Sequence, residues 1–368
     1  MIDPVKDKDI LDIASLRLHN QQITGTLYHT PADLVKHLAA LQAQDYAGVK
    51  WSVGLRLTES TKVDFDKAIA DKTIVRTWLM RGTLHLVAAE DIYWMLELVA
   101  PRIIAGSATR HQRLGLDNEI FAHCKDIFIH ALSGGKQLTR DEMYKLLEDQ
   151  NISTVGQRGY HILWWSVLEG LICVGPEDGK QQTFVLLEDW IPKNTILKRD
   201  EALAELARRY FTSRGPATLQ DFVWWSGLKI TDARFGLKAV ASQLEQITID
   251  NRTYWMPPNA PQISIKVQKM YLLPGFDEYM LGYKDRSAVL NAQYSQQIVP
   301  GNNGMFSSTI VKDGQIVGTW RRSFKNDHII ITPQPFIEFK GSERKLFSVA
   351  SNQYGQFLEM SVSINDVE

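Results

Sequence analysis

The fold is read from Ile74-Val75-Arg76-Thr77-Trp78-Leu79-Met80, the dipeptide Arg81-Gly82, and Thr83-Leu84-His85-Leu86-Val87. Both runs are rich in β-branched and aromatic residues, and the glycine between them accepts a positive φ without steric cost. The stretch therefore predicts two antiparallel strands joined in a hairpin. Just upstream, residues 63–70 carry a helical pattern. Further upstream, Thr30-Pro31-Ala32-Asp33 predicts a helix start, with Thr30 as the N-cap and Pro31 in the first turn, where a missing N–H is harmless. Leu34, Leu38 and Leu41 follow at helical spacing.

Helix, helix, hairpin is the order of a winged helix, and the pattern recurs. A second unit has a helix from about Glu119 to Leu132, a break at Ser133-Gly134-Gly135, and a capping box from Thr139 to Glu142. A third helix holds His161–Leu171, and Gly175–Gly179 turns a hairpin into Phe184–Leu187. The third unit has a helix over Asp200–Phe211, helix starts at Thr218 and Thr231-Asp232, and a strand-turn-strand over Ile247–Met256. Trp164-Trp165-Ser166 and Trp224-Trp225-Ser226 hold comparable places in these two units, as plugs between helices rather than base-stacking platforms.

After Pro257-Pro258-Asn259-Ala260-Pro261 the composition changes to short alternating runs at residues 263–273, 305–311, 315–322 and 328–331, the pattern of an antiparallel sheet or small barrel. Lys312-Asp313-Gly314-Gln315 marks a tight hairpin, and a final helix is expected over residues 341–351. The predicted fold class is α+β: tandem winged-helix units followed by an antiparallel, β-rich, barrel-like C-terminal domain. The expected domains are 1–115, 116–196, 197–260 and 261–368.

The 368 residues are 44% hydrophobic and 23% charged, an ordinary globular balance with enough length for several modules. Only two cysteines occur, Cys124 and Cys173, in no metal-ligand spacing, which points to a reducing compartment and no structural zinc. No signal core or long apolar run is visible, so a soluble, cytoplasmic protein without membrane contact is expected. The net charge of −1 gives no global pull toward nucleic acid. A local basic face is available from Arg76, Arg81, Arg102, Arg110 and Arg113, which could equally be a solvated surface.

Gln42-Ala43-Gln44 is the stretch that could carry chemistry. On an α-helix two residues at i and i+2 diverge by about 200°, but in extended chain they point the same way. Each amide offers one acceptor oxygen and two donors without a buried charge, so a pair on one face could hold a water from two directions. The neighbouring Asp45 would point away. In the hairpin, Arg81 at the tip is a phosphate candidate because it keeps its charge. Thr83 and His85 alternate toward one face, with His85 either touching DNA or structural. Asp277 and Glu278 are adjacent, diverge in direction and have no nearby His or Lys, which favours a packing role. No Walker, GxGxxG, HExxH or GxSxG motif is present.

Leu41–Asp45, Arg76–Val87, Leu272–Tyr283 and Gly318-Thr319-Trp320-Arg321-Arg322 together resemble the winged-helix family of AlkZ-like DNA glycosylases, along nearly the whole chain. The resemblance implies a monofunctional glycosylase without metal or cofactor, a monomer acting on double-stranded DNA, that hydrolyses the N-glycosidic bond of cationic N-alkylated purines, with crosslinks as a further candidate substrate. It assigns the family's Gln-x-Gln pair to Gln42 and Gln44. Some relatives carry a carboxylate at the second position, where this chain keeps glutamine. DNA contacts are expected from Arg76, Arg81, Thr83 and His85. The alternatives are a non-enzymatic winged-helix DNA-binding protein, such as a transcriptional regulator, and a scaffold that binds protein.

Overall fold

In the computed structural model, which describes residues 13–193, 197–258 and 269–365, the hairpin is present. Ile74–Trp78 and Leu84–Ala88 pair antiparallel with Trp78 opposite Leu84. Leu79 and Met80, expected in the strand, belong to the turn, where Arg81 takes φ 57° and Gly82 φ 72°. The chain divides into two units, Asp66–Leu203 and the described parts of Met1–Phe65 with Ala204–Glu368.

In the unit of Asp66–Leu203, the second hairpin also forms, from Ile172–Val174 and Thr183–Leu186, after helices Asn118–Leu132, Arg140–Asp149 and Arg158–Leu168. The Thr139–Glu142 capping box is made in full. The two hairpins share one sheet, joined by Arg76 opposite Val174, in the order Leu84–Ala88, Ile74–Trp78, Ile172–Val174, Thr183–Leu186, Leu138–Thr139. Trp164 plugs this unit at 5% exposure, as the sequence predicts.

In the other unit, Thr30 caps Pro31–Leu38 by accepting the Asp33 N–H. This helix stops short of Leu41, against the sequence expectation, because Ala39 turns to φ 61° and the chain leaves as the strand Ala40–Gln42. The capping box at Thr218 opens Leu219–Ser226, which precedes helix Ile230–Val240 and the hairpin Glu245–Ile249 with Arg252–Met256. Trp225 is fully buried as expected, whereas Trp224 is exposed.

The C-terminal region is a curled, five-stranded half-barrel in the order Ser361–Ile364, His328–Pro335, Gln315–Lys325, Thr309–Lys312, Met270–Leu273. The expected run at residues 263–268 lies outside the described residues. The expectation of a wholly antiparallel sheet needs one correction, since Ser361–Ile364 pairs parallel to His328–Pro335. The reason is the final helix, Gly341–Leu358, longer than the sequence suggested: it crosses over between the two strands, and a crossover returns the chain in the same direction. Phe347, Tyr354 and Phe357 of that helix cover Trp320, Leu272, Ile310 and Ile331 of the sheet.

The Asp313-Gly314 turn joins Lys312 to its partner Gln315 with φ of 49° and 82°, the two positive values of a type I′ hairpin. A Cβ on Gly314 would lie 2.8 Å from Ala14 Cβ, and the Gly314 carbonyl accepts the buried Tyr279 hydroxyl at 2.8 Å. Gly314→Ala should therefore lower stability by about 1–3 kcal/mol, read as a shifted denaturation midpoint. An unchanged midpoint would contradict this geometry.

Candidate active site

The strand Ala40–Gln42, which carries Gln42 and leads into Gln44, is fastened at both ends by buried side chains. Arg214, the last residue of helix Arg199–Arg214, donates to the Leu38 carbonyl at 2.7 Å and the Ala40 carbonyl at 2.8 Å. It thus takes up carbonyls freed where the preceding helix stops. At the other end, the Gln42 N–H donates to Glu278 Oε1 at 3.0 Å. Glu278 Oε2 accepts from Arg214 Nη2 at 2.7 Å, Arg214 Nε at 3.1 Å and Trp225 Nε1 at 2.9 Å. The Arg214 and Glu278 side chains are 0% and 2% exposed.

From Leu41 to Gln44, two residues past the end of the strand, burial alternates. Leu41 and Ala43 are buried, Gln42 is half-buried and Gln44 is exposed. Gln42 and Gln44 are thus the less buried residues of this stretch. Gln42 Oε1 is itself enclosed and accepts no hydrogen bond from a described residue. Asp45 caps helix Tyr46–Gly54 by accepting the Gly48 N–H at 3.0 Å, and lies 3.6 Å from Arg322.

Asp277 mirrors its neighbour. Arg56 donates to both of its oxygens at 2.8 Å, while the Ser52 hydroxyl and the Tyr279 N–H donate at 2.7 and 2.9 Å. Burial pushes the Asp277 carboxyl up, but the Arg56 charge and these hydrogen bonds outweigh it and hold the group below the usual carboxylate range. The acidic pair packs as the sequence suggested, but Glu278 also reaches the glutamine strand, which the sequence did not reveal. Arg214 was missed altogether, because nothing local separates it from any cation at a helix C-terminus.

The hairpin residues lie in the other unit. Arg81 is exposed at the turn, and Trp164 Nε1 donates to the Gly82 carbonyl at 3.0 Å and braces it. Thr83 is half-buried. Arg76 and His85 are 7% and 0% exposed, with His85 Nδ1 2.9 Å from the Thr83 carbonyl. Among the described residues, no group of three or more His, Cys, Asp or Glu is arranged to hold a metal ion. No described helix is long and apolar enough to cross a membrane.

The sequence profile of the family described as "DNA glycosylase AlkZ-like" matches residues 35–357. The chain belongs to that family. It is similar to an interstrand DNA cross-link repair glycosylase of Streptomyces sahachiroi, 27% identical over 346 residues, covering 88% of this chain and 90% of the relative. The solved structure of Streptomyces sahachiroi DNA glycosylase AlkZ shares the fold, with a TM-score of 0.78 at 22% identity over 97% of this chain and 99% of that one. The chain is thus an enzyme of the glycosylase class, a DNA-binding protein of DNA repair.

The Asp277–Arg56 pair makes a prediction for this glycosylase. A carboxyl held low when folded stabilises fully above its unfolded value of about 3.9, and that stability is lost as the pH falls through the lower folded value. Asp277→Asn should cost about 3–5 kcal/mol at pH 7, because it leaves Arg56 buried without its counter-charge. Denaturant titrations of both proteins should show the gap closing only below about pH 4. A gap closing near neutrality would contradict the assignment.

Proposed function

We propose that the chain hydrolyses the N-glycosidic bond of cationic N-alkylated purines in double-stranded DNA, including purines joined in interstrand cross-links, with a water held by Gln42 and Gln44. The observation that carries this reading is the enclosed Gln42 Oε1: an acceptor without a donor among the described residues, at the end of a strand that the exposed Gln44 follows two residues on. Three carboxylates of this unit already have partners. Glu278 is filled by Gln42 N–H, Arg214 and Trp225, Asp277 by Arg56, Ser52 and Tyr279, and Asp45 caps a helix.

Neutral amides suit a leaving group that needs no proton. A purine alkylated at N7 or N3 is cationic, so as the C1′–N bond breaks its electron pair neutralises the base, which departs uncharged. Positive charge then grows on the sugar. An amide oxygen stabilises that charge and aligns the water that bonds to C1′. The attacking water's proton passes to solvent, since an amide does not take it up near neutral pH. The cross-link repair activity named for the Streptomyces sahachiroi relative fits this chemistry, because alkylation of a purine ring by a cross-linker leaves the same kind of cation.

For DNA, the helix-then-hairpin segments are read as winged helices that grip the duplex, with the chain acting as a monomer. Arg81 and Thr83 stand at the accessible tip for phosphate contact, and the enclosed Arg76 and His85 support the hairpin from behind. Because the whole chain carries a charge of −1, attraction to DNA must come from such local placement.

Two outcomes are expected. On duplex DNA with N7-methylguanine, Gln42→Ala and Gln44→Ala should each slow base release about 100-fold, with affinity almost intact. The wild-type rate should show no carboxylate-like titration near neutral pH, and uracil should be a poor substrate. Full activity of the double variant would refute the assignment. Separately, Arg81→Glu should weaken binding to all duplex sequences alike and flatten the salt dependence by about one phosphate contact. An unchanged salt slope would remove Arg81 from the interface.

A further inference from the structure

We propose that Glu278 is the positioning residue of the glutamine pair: its buried carboxylate sets the path of residues 40–44, and thereby where Gln42 and Gln44 point. This rests on the reading of those glutamines as the water-holding pair. Glu278 is 236 positions from Gln42 in sequence, yet it takes the backbone N–H of that residue. The bond is to main chain, so it fixes how the strand is rotated rather than competing for the amide group that would hold the water.

The remaining contacts make the anchor stiff. Oε2 is held by Arg214 and by Trp225 Nε1, so Oε1 can only point at the strand. Arg214 ties in the Ala40 carbonyl, so the two side chains grip the strand Ala40–Gln42 at both ends, directly before Gln44. Arg214 packs closely on Gly282, where a Cβ would lie 3.2 Å from Arg214 Cδ.

A carboxylate is required rather than merely tolerated, because both oxygens must accept. Glutamine has the same shape but one acceptor and one NH2 donor. With its oxygen toward Gln42, the NH2 faces the donors of Arg214 and Trp225. Turned over, it faces the Gln42 N–H. Either orientation sets donor against donor and displaces the strand, and misplacement by about 1 Å is enough to cost up to 100-fold in rate.

The test compares wild type, Glu278→Gln and Gln42→Ala on duplex DNA with N7-methylguanine, measuring the single-turnover rate at saturating enzyme and the DNA Kd separately, with a melting curve for each protein. The expected result is a Glu278→Gln protein that melts cooperatively, binds DNA within about twofold of wild type, and releases base about 10- to 100-fold more slowly. A folded Glu278→Gln with the wild-type rate, or one that loses rate and affinity in parallel, overturns the positioning role. If Glu278→Gln does not fold, Trp225→Phe decides: it keeps the ion pair and removes one donor from Oε2, and should lower the rate without changing Kd. A wild-type rate there overturns the proposal. Gln42→Ala separates the two levels. Wild-type activity in that variant sinks the glutamine reading itself, whereas a slow Gln42→Ala beside a fully active Glu278→Gln sinks only the role of Glu278.

Discussion

A carboxylate shut away from water must meet a cation and fill its lone pairs, or it costs several kcal/mol. Asp277 and Glu278 impose this demand twice in succession. Asp277 draws in Arg56, whose guanidinium also donates to the Gln21 carbonyl at 2.9 Å and to Gln21 Oε1 at 3.1 Å. Glu278 draws in Arg214, whose own carbonyl accepts the Tyr283 hydroxyl, which in turn accepts from Gln21 Nε2. The two ion pairs therefore belong to one hydrogen-bonded network that ties segments from opposite ends of the sequence together in this unit. A buried ion pair adds little net stability over apolar residues of the same volume, but it fixes one arrangement against others. The arrangement fixed here is the turn after Leu38 and the short strand Ala40–Gln42 that leads into Gln44.

This explains why the segment proposed to hold the water is irregular where its sequence reads as regular. Leu34, Leu38 and Leu41 favour one continuing helix, and Leu41 alone would be well served by it. Arg214 accommodates the break by taking the carbonyls of Leu38 and Ala40, and Glu278 takes the N–H of Gln42. Local preference yields to tertiary hydrogen bonding, and the consequence is chemical. Only off the helix do positions 42 and 44 share a side.

What the sequence disclosed and what it hid follow from range. Signals spanning a few residues were legible: the caps at Thr30, Thr139 and Thr218, the Asp313-Gly314 turn, the hairpin around Arg81-Gly82, and the buried halves of the Trp pairs. The glutamine pair was proposed through a family resemblance, and the break of the helix before Ala40 is what the structure adds to it. Hidden were the features set by distant partners. Asp277 and Glu278 look untuned in sequence because their cations, Arg56 and Arg214, lie 221 and 64 positions away. The parallel strand at Ser361–Ile364 was hidden too, since its direction depends on the length of the helix before it. His85 reads as an alternating strand residue that could face either way, and burial, not alternation, decides that it lies inside.

The central claim is that a strand pinned by buried charge presents two neutral amides to a hydrolytic water. The most direct measurement is a crystal structure with duplex DNA carrying a cationic sugar mimic of the transition state at the lesion. The account predicts one ordered water within about 2.7–3.2 Å of Gln42 Oε1, also contacted by Gln44 and facing the sugar carbon, with Glu278 still on the Gln42 N–H. A water held instead by a carboxylate, with either glutamine turned away from the sugar, would contradict it.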